Sequence, residues 1–331
     1  MDEKIMLAHG SGGEMSRRLT EGLFLKHFGN PLLNQLDDSA ELEASSRRLA
    51  FTTDGYVVSP VVFPGGDIGK LSVCGTVNDL SAKGATPKWL SAAFILEEGL
   101  EISLLERITA SMRKAADEAG VVIATGDTKV VDRGKADKIF IATSGVGEIP
   151  EGVNISCSGA RPGDAVIITG RLGAHGVAVL NARHRLGLQS AIESDCAPLS
   201  KVAAAARFDA HAMRDLTRGG LAAALNEIAQ SSGCAIEMDG AAIPVAPEVE
   251  AACGILGLDP LYAANEGALA VFTPREKAEK VLSAIRAEKY GANAVIAGKA
   301  VAGAPGVILK TKTGGRRALR MPEGEQLPRI C

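Results

Sequence analysis

Strand-like and helix-like segments alternate up to EIPEG (residues 148–152), and there the alternation stops and begins again. That single break constrains the fold more than any other feature. Before it, RRLAFTTDGYVV (47–58) reads as a strand ending in a polar turn. Residues 68–82 read as a helix: Asp67 can cap it, Ile68, Leu71, Cys74 and Val77 recur at helical spacing, and Gly84 with Pro87 stops it. KWLSAAFIL (88–96) is a strand, 102–119 an amphipathic helix, and VVIATGD (121–127) and KIFIATSGVGEI (138–149) are strands. After the break, ARPGDAVIITG (160–170) is a turn and strand, and GAHGVAVLNARH (173–184) is helical. A helix over 219–230 is entered through two glycines, followed by a strand (268–274), a helix (276–288) and a strand (293–301). Each half is therefore mixed α/β. At 331 residues the chain exceeds what one core usually supports, so two domains are expected. The boundaries read as a Gly-rich segment and helix over 1–35, an α/β domain over 36–150, a second α/β domain over 151–318, and a mobile tail over 319–331.

Composition narrows the function. Aromatic residues make up only 4% of the chain and glycine contributes 38 residues, so small side chains and tight turns carry the packing. A net charge of −3 gives no pull toward nucleic acid or an anionic membrane. There is no apolar run long enough to span a bilayer and no secretory segment, so a soluble cytoplasmic protein is expected. The six cysteines form no CxxC and no zinc spacing, which argues against a disulfide framework, structural zinc or an iron–sulfur cluster. Five read as small core residues. The sixth, Cys331, ends the sequence in MPEGEQLPRIC, where the apolar pattern has stopped. It is either a frayed end or a reactive thiol on a tether. Eleven residues from Met321 can reach about 35 Å when extended, and Pro322 and Pro328 limit the conformations lost on docking. Arg329 favours the thiolate and the terminal carboxylate opposes it. Whether the tail points in or out is open.

Two phosphate-loop lookalikes fail. PGGDIGKLS (64–72) has Pro64 where the first glycine of a P-loop belongs and Leu71 in place of the hydroxyl residue, and GVGEIP (145–150) misses the last glycine of GxGxxG. What remains is a set of aspartates in polar or glycine-flanked turns: Asp37 and Asp38 in LDDSA, Asp54 in TTDG, Asp127 in GDTKVV and Asp215 in DLTRGG. Asp79 joins them from inside an otherwise apolar helix, beside Asn78. Carboxylates gathered from several turns suit Mg²⁺, a hard cation that takes oxygen ligands and holds phosphates. Lys129 can meet phosphate charge, and Gly219 and Gly220 open a helix whose N–H groups can hold an anion. Taken singly, each has a plainer reading: an aspartate before glycine is ordinarily a turn former or cap, Lys129 a solvated strand end, and Glu266 in ANEGALAV a turn residue.

The combination is more specific than its parts. AHGSGGE, LDDSA, FTTDG, the GGDIG to NDLSAKGATP helix, GDTKVV, DLTRGGLAAALNEIA, NEG and a terminal PRIC follow one another in fixed order. Together they resemble the HypE family of hydrogenase maturation factors, within the superfamily of aminoimidazole ribonucleotide synthetase (PurM) and selenophosphate synthetase. The resemblance runs from about residue 8 to 331, with GDTKVV and PRIC its most specific items. Ser39 and Ala8 depart from the usual pattern without touching a charged position.

The resemblance implies a two-domain PurM-like α/β fold, with the N-terminal domain completing a sheet or barrel in a homodimer and the C-terminal domain layered. It implies ATP between the domains, Mg²⁺ on Asp38, Asp79 and Asp215, Asp37 and Asp54 nearby, and Asp127 and Lys129 lining the same cleft. It also implies that a carbamoyltransferase, HypF, loads a carbamoyl group onto Cys331. ATP then drives dehydration of that thiocarboxamide to a thiocyanate, and the cyanide passes to iron on a HypC–HypD complex. Glu266 is the candidate base and Lys129 the candidate neutraliser of phosphoryl charge. The alternatives are another ATP-using relative, such as selenophosphate synthetase, or a non-catalytic scaffold. The absence of cysteine from residues 1–30 argues against the first and the intact acidic set against the second.

Overall fold

The computed structural model describes residues 3–10, 13–36, 39–184, 186, 192–323 and 330–331. Short helices α1 (Gly13–Leu19) and α2 (Leu25–Phe28) lead into the first domain. That domain runs β1 (Leu49–Tyr56), β2 (Val62–Phe63), β3 (Gly66–Asp67), α3 (Ile68–Ala82), β4 (Thr86–Glu97), α4 (Ile102–Ala119), β5 (Val122–Val131) and β6 (Ile139–Glu148). The second runs β7 (Asp164–Ile168), α5 (Ala174–His184), α6 (Ser200–Ala206), β8 (Ala212–Asp215), α7 (Gly220–Ser232) and β9 (Ala235–Asp239). It finishes with α8 (Pro247–Leu256), β10 (Leu269–Pro274), α9 (Ala278–Arg286), β11 (Val295–Val301), β12 (Gly306–Lys310) and β13 (Arg316–Ala318).

In the first domain the strand order is β1-β6-β4-β5, with only β4 and β5 parallel. Helix α3 begins as its sequence dictates: Asp67 accepts the Lys70 N–H at 2.9 Å. It lies against the sheet on one side, and Gly69 lets α4 approach from the other, since a Cβ there would sit 2.4 Å from the Ile108 carbonyl oxygen. Strand alternation divides the sheet. Thr52, Asp54 and Tyr56 face α3, so Phe51 and Thr53 face away, and Phe51 is 72% exposed.

The second domain holds a seven-stranded sheet, β13-β12-β9-β11-β7-β10-β8, antiparallel except for β9 and β12. The interior strand β7 is apolar on both faces, as a strand covered on both sides must be. Val166 and Ile168 pack with Leu221, Leu225 and Ile228 of α7, while Ile167 packs with Val202 of α6 and Val281 and Ile285 of α9. The result is a helix–sheet–helix sandwich. Asn78 of α3 ties the domains together: its Nδ2 donates to the Ala197 and Glu266 carbonyls, and its Oδ1 accepts the Leu199 N–H at 2.7 Å.

The two-domain α/β architecture is as expected from the sequence. Residues 200–215, given no element there, contain α6 and β8. No helix among the described residues is long and apolar enough to cross a membrane. The C-terminal segment leaves β13 along α7, where Asn226 Nδ2 donates to the Leu319 carbonyl and Tyr262 Oη to that of Arg320. Pro328 and Arg329 lie outside the described residues. The final two residues point inward: Ile330 is buried in the first domain's core and Cys331 packs against it.

Candidate active site

The site assembles where α3, β1 and the end of β8 converge. Asp79 sits on the turn of α3 facing β1, and Thr52 Oγ1 donates to its Oδ2 at 2.8 Å. Two residues along the same face of β1, Asp54 Oδ2 accepts from Thr76 Oγ1 at 3.4 Å. Thr76 Oγ1 also lies 2.5 Å from Thr143 Oγ1 and 3.3 Å from the hydroxyl of buried Tyr56. Gly75 makes room for that phenol: a Cβ there would stand 2.3 Å from Tyr56 Oη. From the second domain, Asp215 ends β8 opposite Leu269. Burial, then the charge of Asp79, pushes the Asp54 carboxyl up to about 6. The same two causes push Asp215 up to about 6. A cavity of about 480 Å³ lies beside this set, lined by Phe51, Thr52, Asp79, Cys157, Arg214 and Asp215.

Glu266 enters from the turn before β10 and is 3% exposed. Burial, with Cys196 and Asp215 next in importance, holds its carboxyl well above the usual range. The turn is rigid: Asp195 Oδ1 and Oδ2 accept the N–H groups of Glu266 and Gly267 at 3.0 and 3.1 Å. Burial raises Asp195 itself to about 6. Cys331 closes the site. Its terminal carboxylate accepts the Val57 N–H at 3.3 Å, directly beyond the end of β1. Its thiol is pushed up to about 12, first by burial and then by Glu266, with Asp54 and Asp215 adding and Arg218 opposing. The docked sulfur is therefore held as the thiol.

Not every expected residue joins this set. Asp127 and Lys129 lie on the edge strand β5, three strand spacings from β1, or about 14 Å. Lys129 pairs with Ile95, which is 40% exposed between buried Phe94 and Leu96, so it faces away from α3. Within one chain the two residues bond to each other at 2.8 Å and border a separate cavity of about 380 Å³ under α1 and α2. Gly219 and Gly220 do open α7, with φ of 76° and 59°. The first-turn N–H groups of Gly220, Ala222 and Ala223 are already bonded to the carbonyls of Thr217, Leu261 and Gly219. The expected anion cradle is thus largely spent inside the chain, and Gly220 serves close packing, a Cβ there lying 2.6 Å from the Ala263 oxygen. Asp37 and Asp38 lie outside the described residues. Among the described residues no group of three or more His, Cys, Asp or Glu side chains is arranged to hold a metal ion.

Sequence reasoning missed Asp195, His175 and Tyr56. None is an acid in a glycine-flanked turn, and each acts through partners distant in the chain. The one local hint was Asn78, a second polar residue beside Asp79 in an apolar helix.

Comparison with known proteins adds the following. Residues 36–149 match the N-terminal domain of the AIR synthase related proteins and residues 161–310 their C-terminal domain. A protein from Rhodobacter capsulatus named carbamoyl dehydratase HypE is 54% identical, over 100% of this chain and 99% of that one. A solved structure of the hydrogenase maturation protein HypE in complex with ATP superposes with a TM-score of 0.95 at 48% identity, covering 98% of this chain and 99% of that one. The solved HypE–HypF complex superposes at 0.81 with 43% identity, covering 92% and 99%.

Proposed function

This chain belongs to the HypE family of carbamoyl dehydratases, within the AIR synthase related proteins, and from that premise we propose how its residues divide the work. The carbamoyl group is carried as a thiocarboxamide on Cys331. Its oxygen attacks the γ-phosphorus of ATP as the bond to ADP breaks. The phosphorylated oxygen then leaves as phosphate, and a carbon–nitrogen triple bond forms. Both nitrogen protons must depart: Glu266 takes one and the leaving phosphate the other. A carboxyl pushed upward by burial is a stronger base once its own proton is gone. The product is a thiocyanate on Cys331, source of the cyanide ligand of a nickel–iron hydrogenase.

Loading and dehydration need opposite settings of one sulfur. A thiol held at about 12 is a poor nucleophile, so loading takes place with the tail undocked. HypF is the loading partner, supported by the solved complex of a relative with it. A HypC–HypD complex is the acceptor. ATP is supported by the nucleotide-bound relative. Asp79 and Asp215, with Asp38, are the proposed Mg²⁺ ligands, with Asp54 and Asp37 beside them. The donor set fits a hard cation in kind, since its half-buried carboxyls repel one another and oxygen donors suit Mg²⁺. When bound, that ion would neutralise charge on the transferred phosphoryl group.

Lys129 and Asp127 enter this scheme from a second copy. The open face of the first sheet carries Phe51, Ile95 and Lys129, and pairing two such faces buries apolar surface while bringing the lysine over the neighbour's cleft. Gly219 and Gly220 shape the loop beside Pro322 and the cleft. A reaction that consumes ATP suits a cytoplasmic protein.

The carrying observation is the docked C-terminus, with the Cys331 sulfur close enough to Glu266 for that carboxyl to oppose its ionisation. Intact mass spectrometry after incubation with HypF, carbamoyl phosphate and Mg·ATP tests it. The protein should gain a carbamoyl group on Cys331 and then lose the mass of one water. A folded, ATP-binding protein that never gains the adduct on Cys331 contradicts the reading.

A further inference from the structure

The imidazole of His175 is completely buried near the start of α5, yet no step above uses it. Its Nε2 lies 2.6 Å from the carbonyl oxygen of Ile330, and its Nδ1 lies 2.8 Å from Ser194 Oγ. A carbonyl can only accept, so Nε2 carries the proton and donates it. Nδ1 then accepts from the Ser194 hydroxyl. That hydroxyl oxygen in turn accepts the Cys196 N–H at 3.1 Å, and the Ser194 N–H donates to the Pro64 carbonyl at 2.9 Å. The edge of a neighbouring ring, Phe63, meets the imidazole at 5.5 Å between centroids. Burial lowers the imidazole to about 4, so the neutral form with a single donor prevails. Both nitrogens are committed and the tautomer is fixed by its partners.

The described end of the tail is held at three points. His175 donates to the Ile330 carbonyl, the Val57 N–H donates to the terminal carboxylate of Cys331, and the Ile330 side chain enters the core. Three points fix the orientation of the last residue, and with it the direction of the sulfur. We propose that His175 is a positioning residue that latches the docked tail through the Ile330 carbonyl and so sets Cys331 against Glu266 for dehydration. This rests on the reading of Cys331 as the carrier. Removing the donor leaves a buried carbonyl unpaired in the docked state alone, because in the undocked state water satisfies it. The docked population falls, while loading, which needs the tail free, does not.

A histidine that merely supports α5 and residues 194–196 would behave differently. The experiment uses the full-length protein and follows iodoacetamide labelling of Cys331, resolved by peptide mass spectrometry, beside ATP affinity and thermal unfolding. His175→Ala should label Cys331 roughly 5- to 150-fold faster, the equivalent of one lost buried hydrogen bond. Dehydration of pre-carbamoylated protein should slow by a similar factor, at unchanged ATP affinity and an undiminished rate of loading by HypF. His175→Gln, whose amide N–H can reach the same carbonyl, should recover most of both losses. Wild-type labelling of Cys331 in a folded His175→Ala protein overturns the latch. Should that variant fail to fold, Ser194→Ala decides: faster labelling supports the latch, and wild-type labelling overturns it. If His175→Ala labels faster but even the wild-type protein never dehydrates its carbamoyl group, the latch stands and the functional reading falls.

Discussion

Two regions of this molecule present aspartates to a cavity, and they could hardly differ more. On one side of the first sheet half-buried Asp54, Asp79 and Asp215 meet buried Glu266, and each carboxyl raised there is raised first by desolvation. At the free edge, Asp127 is exposed, lies beside its own lysine and is lowered by it. The residue type is the same, but the surroundings set the chemistry. A carboxylate beside a solvated lysine is already satisfied and has little driving force to bind a cation. Partly desolvated carboxylates near one another store repulsion that a divalent ion or a proton relieves. The contrast separates a desolvated carboxyl cluster from an exposed ion pair.

The largest effect that would break this contrast is at Glu266. Glu266→Ala should lower dehydration of carbamoylated Cys331 by about 10²- to 10⁴-fold, the range for loss of a general base. Nucleotide binding should survive, as read by calorimetry alongside mass spectrometry. Normal dehydration in that variant would remove Glu266 as the base. Next, Asp79→Asn should weaken Mg·ATP binding by roughly 10- to 100-fold, about 1.4 to 3 kcal/mol. Unchanged affinity would count against a metal role.

The pH dependence should differ between the two regions. Asp54 and Asp215 have folded values near 6, above their ordinary 3.8. Their contribution to stability is fully present below about 3.8 and is lost as pH rises through about 6. On the proposed assignment, Mg²⁺ binds only after those protons leave. It should therefore raise the thermal midpoint at pH 7 and have little effect at pH 5, as scanning calorimetry would read. An equal shift at both values would contradict the assignment. The smallest effect belongs to the edge pair. Asp127→Asn should change folding stability by less than about 1 kcal/mol in denaturant titrations, because an exposed ion pair is worth little.

Much of the fold was legible because its elements announce themselves locally. Asp67 capping α3, Gly84 ending it and the apolar run of β7 each encode an element within a few residues. Helix α6 has no side-chain cap and β8 is four residues long, so neither has marked boundaries in the sequence; α6 packs against α9 and β8 pairs with β10. The site divides in the same way. Asp54, Asp79 and Asp215 stood out as acids in turns or in an apolar helix. Their separation from Asp127 and Lys129 did not, because it depends on which face of the sheet each residue occupies. Asp195 and His175 were silent for a related reason, since their partners lie 71 and 155 residues away along the chain.

The central proposal is that the docked C-terminal sulfur carries its cargo into the partly buried acidic set, where ATP drives dehydration. The most direct test is to load Cys331 with an isotopically labelled carbamoyl carbon, remove HypF, add Mg·ATP and follow that carbon by NMR. The signal should move from thiocarboxamide to thiocyanate, one conversion for each ATP hydrolysed. ATP hydrolysed while the labelled carbon remains a thiocarboxamide would contradict the account.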